Sequence, residues 1–126
     1  MTTMVRFTAD NAEYCLPVSA ARSVRTADGI LSLPDPGLDV AGIIPGDPPL
    51  TVISPLHGSR GHILVIESGD KTFGLLVDVV TGLWRINDAD IGPAPEGQSR
   101  PLISGTLHAG GRLILVADPS ALGGQL

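Results

Sequence analysis

The stretch His62–Ile86, HILVIESGDKTFGLLVDVVTGLWRI, narrows the possible folds more than any other part of this chain. Ile63, Leu64, Val65 and Ile66 form a short continuous apolar run rich in β-branched residues, the pattern of a strand buried on both faces. Ser68-Gly69-Asp70-Lys71 supplies a hairpin turn in which Gly69 is free to adopt positive φ. Thr72 to Val80 is apolar again, and Gly82 marks a break before a further strand at Leu83–Ile86. The stretch reads as an apolar β scaffold with no reactive group placed for chemistry.

Composition agrees with a β reading. The 126 residues read as a single domain, long enough to bury about two-thirds of the unfolded surface. Hydrophobic residues make up 43% but aromatics only 3%, so the core has to be built from Val, Ile, Leu and Ala. The 16 Gly and 11 Pro require many turns, and no long helical period is present, which favours a mostly β architecture. The net charge is −5 and the eight basic residues are scattered, so a phosphate-tracking surface is not expected and nucleic acid is excluded as a partner class. The one cysteine, Cys15, cannot form an internal disulfide, which fits a reducing compartment. The N-terminus lacks a signal pattern, and no apolar run approaches the ~18 residues that span a bilayer. The expectation is a cytoplasmic protein without direct membrane insertion.

In chain order, residues 4–8 predict a first strand, Asp10-Asn11-Ala12 a turn, and Tyr14–Val18 a return strand ended by Pro17. Ser19–Val24 predicts about two turns of helix with Ser19 as N-cap, in which Val18, Ala21 and Val24 share a face. Ile30-Leu31 is a possible strand start interrupted by Pro34 and Pro36. Val40–Ile44 and Leu50–Ser54 predict strands flanking the rigid turn Pro45-Gly46-Asp47-Pro48-Pro49, and Pro55–Gly61 predicts a loop. Asn87-Asp88-Ala89-Asp90 reads as an acidic turn or helix cap. Leu102–Leu107 and Arg112–Val116 predict a closing hairpin, followed by a short helix with Asp118 as N-cap and Pro119 as its first residue.

No enzyme class gains support from these residues. The serines lack a nucleophile elbow, and no phosphate-binding glycine loop ending in Lys occurs. His57, His62 and His108 share no short ligand spacing, so a zinc site would need Cys15 and all three brought together by folding alone. Cys15 reads as a small buried hydrophobe. Asp78 and Asp118 sit at strand ends, where capping and turn bonding account for them. Neither metal nor cofactor is expected.

Four blocks in order, VRFTADNAEYCLPVSAARSV, LPDPGLDVAGII, HILVIESGDKTFGLLVDVVTGLWRINDADIGPAP and ISGTLHAGGRLILVADPSAL, together resemble the CheW-like family of bacterial chemosensory adaptors. The third block includes Gly-Leu-Leu-Val-Asp at 74–78 and the Ile-x-Pro-x-Pro ending at 91–95. The resemblance implies two small SH3-like five-stranded β-barrels packed side by side, with short helices. It implies a non-catalytic scaffold that couples a chemoreceptor's cytoplasmic tip to a histidine kinase by binding the kinase regulatory domain. By position it suggests Ala21, Arg22 and Ser23 on the helix and Gly42, Ile43 and Ile44 on the following strand as protein-binding residues. The family's Asn-Leu-Arg-Gly is replaced here by Pro45-Gly46-Asp47-Pro48, which adds Asp47 to the set as an anion where a cation is usual. That departure motivates an alternative, an interaction module of another signalling system that no longer binds a conventional chemoreceptor. A small-molecule site or enzyme in the inter-barrel groove would require convergent polar groups, and the sequence offers no such cluster.

Overall fold

Ten strands come from the residues of the computed structural model described here, which are 1–33, 39–59, 61–98 and 101–126. They are β1 Thr2–Ala9, β2 Ala12–Pro17, β3 Ala21–Thr26, β4 Val40–Ile44, β5 Leu50–Ile53, β6 His62–Ser68, β7 Lys71–Val77, β8 Val79–Ile86, β9 Ile103–Ala109 and β10 Arg112–Ala117. A short helix, α1, covers Pro119–Gly123 and is capped by Asp118, whose carboxylate accepts from the Ser120 N–H at 3.0 Å. The sequence-predicted interruption at Pro34 and Pro36 lies outside the described residues.

The strands form two sheets, ordered β8-β1-β2-β10-β9 and β3-β6-β7-β5-β4. Their pairing patterns are the same. In each, two antiparallel pairings are followed by one parallel and one antiparallel pairing. Each sheet also curls closed by an isolated bridge: the chain beyond β3 pairs at Leu31 with Ile43 of β4, and the chain beyond β8 pairs at Gly92 with Thr106 of β9. Closure satisfies backbone groups that an open edge would leave unpaired. The mostly β architecture expected from composition, and the two five-stranded barrels that the family resemblance implies, are therefore observed.

The barrels are nested in the chain. The second barrel is built from five consecutive strands, β3 to β7. The first is split around it: β1 and β2 precede the second barrel, and β8, β9 and β10 follow it. The first barrel thus depends on both ends of the chain coming together. Packing follows the same division. One core cluster sits inside each barrel: Met4, Cys15, Ile86, Leu107, Ile114 and Val116 in the first, and Ile44, Val52, Ile63, Val65 and Leu76 in the second. The largest cluster joins the two, bringing Val5, Phe7, Tyr14 and Leu16 of the first barrel against Ile53, Leu64, Ile66, Phe73 and Leu75 of the second. Ile63 to Ile66 are buried throughout, as the unbroken apolar run requires.

The turn chemistry follows the sequence. Asp10 and Asn11 both take positive φ, 49° and 64°, the left-handed pair favoured by a two-residue hairpin, and Gly69 (φ 61°) serves the β6–β7 turn. Phe7 and Tyr14 stand opposite each other in the β1–β2 register and stack with centroids 5.5 Å apart.

Two expectations are corrected. Ser19–Val24 is not a helix: a single 3-10 turn, Val18–Ala20, leads directly into β3, and no side chain caps it. Six residues are too few to stabilise an isolated helix. Pairing with β6 from Ala21 to Thr26 instead satisfies the backbone of a segment that carries Val24 and Thr26, which favour strands. Ala21, Arg22 and Ser23 therefore lie on an edge strand, not on a helix face. The second correction concerns Gly82. It does not break the third strand; the break falls at Asp78, and β8 runs through Gly82 at φ 142°, where the β1–β8 register shifts between Arg6 and Phe7.

Candidate functional site

The strands entered at the two crossovers between barrels, β3 and β8, are edges of their sheets, and they line a common groove. Their side chains are poorly covered: every β3 residue after Ala21 is exposed, and along β8 only Ile86 is buried. Between them lies a groove of about 280 Å³. Ala21, Arg22, Ser23 and Val24 of β3 with Leu64 of β6 form one wall, and Val5 of β1 with Val80, Gly82 and Leu83 of β8 form the other. Val24 is 47% exposed and Leu83 69%. Large aliphatic side chains left this open along two facing edges are what a protein-docking surface presents.

Gly82 contributes by omission. A Cβ built on it meets nothing within 4 Å, so its lack of a side chain leaves the β8 wall low. Arg22 is tied back to β6 through an ion pair with Glu67 at 2.8 Å. Both partners are about half exposed, so the pair adds little stability and mainly orients the guanidinium along the rim.

The sequence-predicted residues divide into two places. Ala21, Arg22 and Ser23 line the groove. Gly42, Ile43, Ile44 and Asp47 belong to β4 and the turn after it, at the opposite end of the second sheet's strand order. Ile44 is a core residue, 6% exposed, and Gly42 is buried. A Cβ on Gly42 would stand 2.3 Å from the Leu31 carbonyl oxygen and 2.6 Å from Ile30 Cγ2, so this position is glycine for close packing against the closing bridge. A bulky residue at Gly42 would disrupt the barrel and not merely a contact. Ile43 is half-buried, and Asp47 stands exposed in the turn 45–49. The two places meet at the β3 edge, where Arg22, Ser23 and Arg25 share a depression of about 310 Å³ with Pro48, Pro49 and Leu50.

Sequence reasoning missed the β8 wall. Leu83 is unremarkable in a β-rich chain, and only the knowledge that β8 is an edge turns it into a surface residue. A run of strand residues with apolar side chains on both faces, such as Val79-Val80, was the available signal.

Among the described residues no three His, Cys, Asp or Glu side chains gather as metal ligands. Cys15 is fully buried, and burial pushes its thiol up to about 11, against a smaller lowering by Arg6. Such a thiol is inert at neutral pH. Asp78 is held below the usual carboxylate range, chiefly by the Ser59 backbone N–H and further by that of Asp10. No described helix is long and apolar enough to cross a membrane.

Comparisons with known proteins bear on the family and the fold. A family model described as the CheW-like domain matches residues 44–125. The chain is 25% identical over 128 residues to the chemotaxis protein CheW of Rhizobium meliloti (strain 1021), across 91% of this chain and 83% of that protein. Its fold is similar to that of the scaffolding protein TtCheW from Thermoanaerobacter tengcongensis, with a TM-score of 0.81 and 22% identity over 93% of this chain and 88% of that one.

Proposed function

The chain belongs to the CheW-like family, whose members are non-catalytic scaffolds of bacterial chemotaxis, and from that premise we propose that it links a chemoreceptor to a histidine kinase through two surfaces. The apolar groove between β3 and β8 takes the receptor's cytoplasmic tip, a helical bundle able to lay an apolar stripe against Val24, Val80 and Leu83. The β4–β5 end of the second barrel, with Ile43 and Asp47, takes the kinase regulatory domain. Ala21, Arg22 and Ser23 stand where the two surfaces meet. The protein acts in the cytoplasm, at receptor arrays, and carries out no chemistry of its own.

The observation that carries this reading is the groove itself: two edge strands, one from each barrel, present exposed aliphatic side chains to each other. It is not lined for small-molecule catalysis, since Arg22 and Ser23 supply its polar side chains and no titratable pair converges there.

Asp47 favours a second reading in which the partner has changed. The family resemblance implies a cation in this turn, and an exposed carboxylate reverses the local charge. Asp47→Arg is expected to tighten binding of a conventional array kinase's regulatory domain, measured calorimetrically, by roughly threefold to tenfold, the scale of one exposed charge reversal. Unchanged or weaker binding would remove the turn from the kinase contact and favour the interaction module of another signalling system.

A further inference from the structure

We infer that Asp78 is the positioning residue of the groove, a single-residue strap that fixes the β8 wall against the β3 wall. The inference rests on the groove reading above for its functional consequence, though not for its geometry.

Asp78 is the whole connection between β7, in the second barrel, and β8, in the first. Its four polar groups divide evenly between the barrels. Its N–H donates to the Thr8 carbonyl of β1 at 2.8 Å, and its Oδ2 accepts from the Asp10 N–H in the β1–β2 turn at 3.0 Å. Its carbonyl oxygen accepts from Nδ1 of His62, the first residue of β6, at 3.1 Å, and its Oδ1 accepts from the Ser59 N–H in the loop before β6. The carboxylate alone therefore bridges a backbone amide of one barrel and a backbone amide of the other.

The surroundings are shaped to allow this. A Cβ on Gly61 would lie 2.3 Å from the Asp78 carbonyl oxygen, and a Cβ on Gly58 would lie 2.4 Å from that of Leu76. Both glycines let the loop press onto the end of β7, where Ser59 reaches the carboxylate. The positive φ of Asp10 closes the opposite turn onto the same group. Val80, Gly82 and Leu83 of the groove wall follow within five residues, so the orientation set at Asp78 is passed directly along β8. The other crossover, Val18–Ala20, has no side-chain cap.

Asp78→Asn tests the idea with almost no change in shape. The amide retains one acceptor oxygen and turns an N–H toward a backbone N–H, so one arm of the strap opens. Nitroxides at Arg25→Cys on β3 and Thr81→Cys on β8 report the distance between the walls by pulsed dipolar spectroscopy, since buried Cys15 does not label. The parent is expected to give one narrow distribution, and Asp78→Asn a broadened or displaced one. Affinity for a receptor-tip fragment falls roughly fivefold or more, while affinity for the kinase regulatory domain, confined to the second barrel, stays at the parent value. Asp78→Glu, which keeps both acceptor oxygens on a longer stem, provides the second variant and should displace the distribution. Distributions identical to the parent in the folded variants overturn the inference, as does an equal loss at both partners, which would mark Asp78 as a general stability residue. If the parent itself fails to bind the receptor tip, the groove reading fails, and the distance measurement still decides the role of Asp78.

Discussion

Replacing Leu83 by glutamate is expected to weaken receptor-tip binding on the order of tenfold or more, because it exchanges an aliphatic anchor of about 1.5–3 kcal/mol for a charge that must be desolvated. The side chain is 69% exposed in the free protein. The fold loses no core contact, so thermal stability should stay within about 0.5 kcal/mol of the parent. The neighbouring variant Val24→Glu, on the opposite wall, should behave similarly, and combining the two should not add fully if one helix touches both. Full affinity in folded Leu83→Glu would place the receptor contact elsewhere on the molecule.

The second large effect concerns Phe73. It is fully buried on β7, opposite Ile66, in the cluster that joins the barrels. Its ring edge lies against the terminal helix, where a Cβ on Gly123 would stand 3.4 Å from Phe73 Cε1. Phe73→Ala should cost about 3–5 kcal/mol through lost burial and an unfilled cavity, a large part of the ~5–15 kcal/mol expected of a domain. Because the first barrel is split around the second and the largest core cluster joins the two, residues 1–126 are expected to unfold as one unit. The loss should therefore appear as a single transition at lower temperature, seen alike by calorimetry and by near-ultraviolet signals from Trp84 in the first barrel. Two separated transitions, with the Trp84 signal unmoved, would show that the barrels unfold independently. Leu113→Ala, at a side chain 51% exposed, is the control with little effect.

Much of the fold was legible in the residues. Alternating or continuous apolar runs located the strands, since burial on one or both faces leaves that imprint, and Asp10-Asn11 and Gly69 marked hairpin turns through their tolerance of positive φ. Asp118-Pro119 marked the helix start. What escaped was non-local. Ser19–Val24 has residues compatible with either helix or strand, and pairing with β6, some forty residues distant, decides between them. That β3 and β8 are edges of their sheets is a property of topology, invisible in any window of sequence. The groove suffers most from this, because one of its walls could be read by position from a family resemblance while the other depends on β8 being an edge. Gly42 and Ile44 show the converse: strand residues that look available to a partner are taken up by packing against Leu31 and by the second barrel's core.

The reading as a scaffold requires the two surfaces to be occupied together. The most direct measurement is a calorimetric titration of a chemoreceptor-tip fragment into the preformed complex of this chain with a histidine kinase regulatory domain from the same genome. The account predicts that the complex forms and then binds the tip with an affinity close to that of the free chain, giving a ternary assembly. Displacement of one partner by the other, or no binding of the regulatory domain to the folded chain, would contradict it.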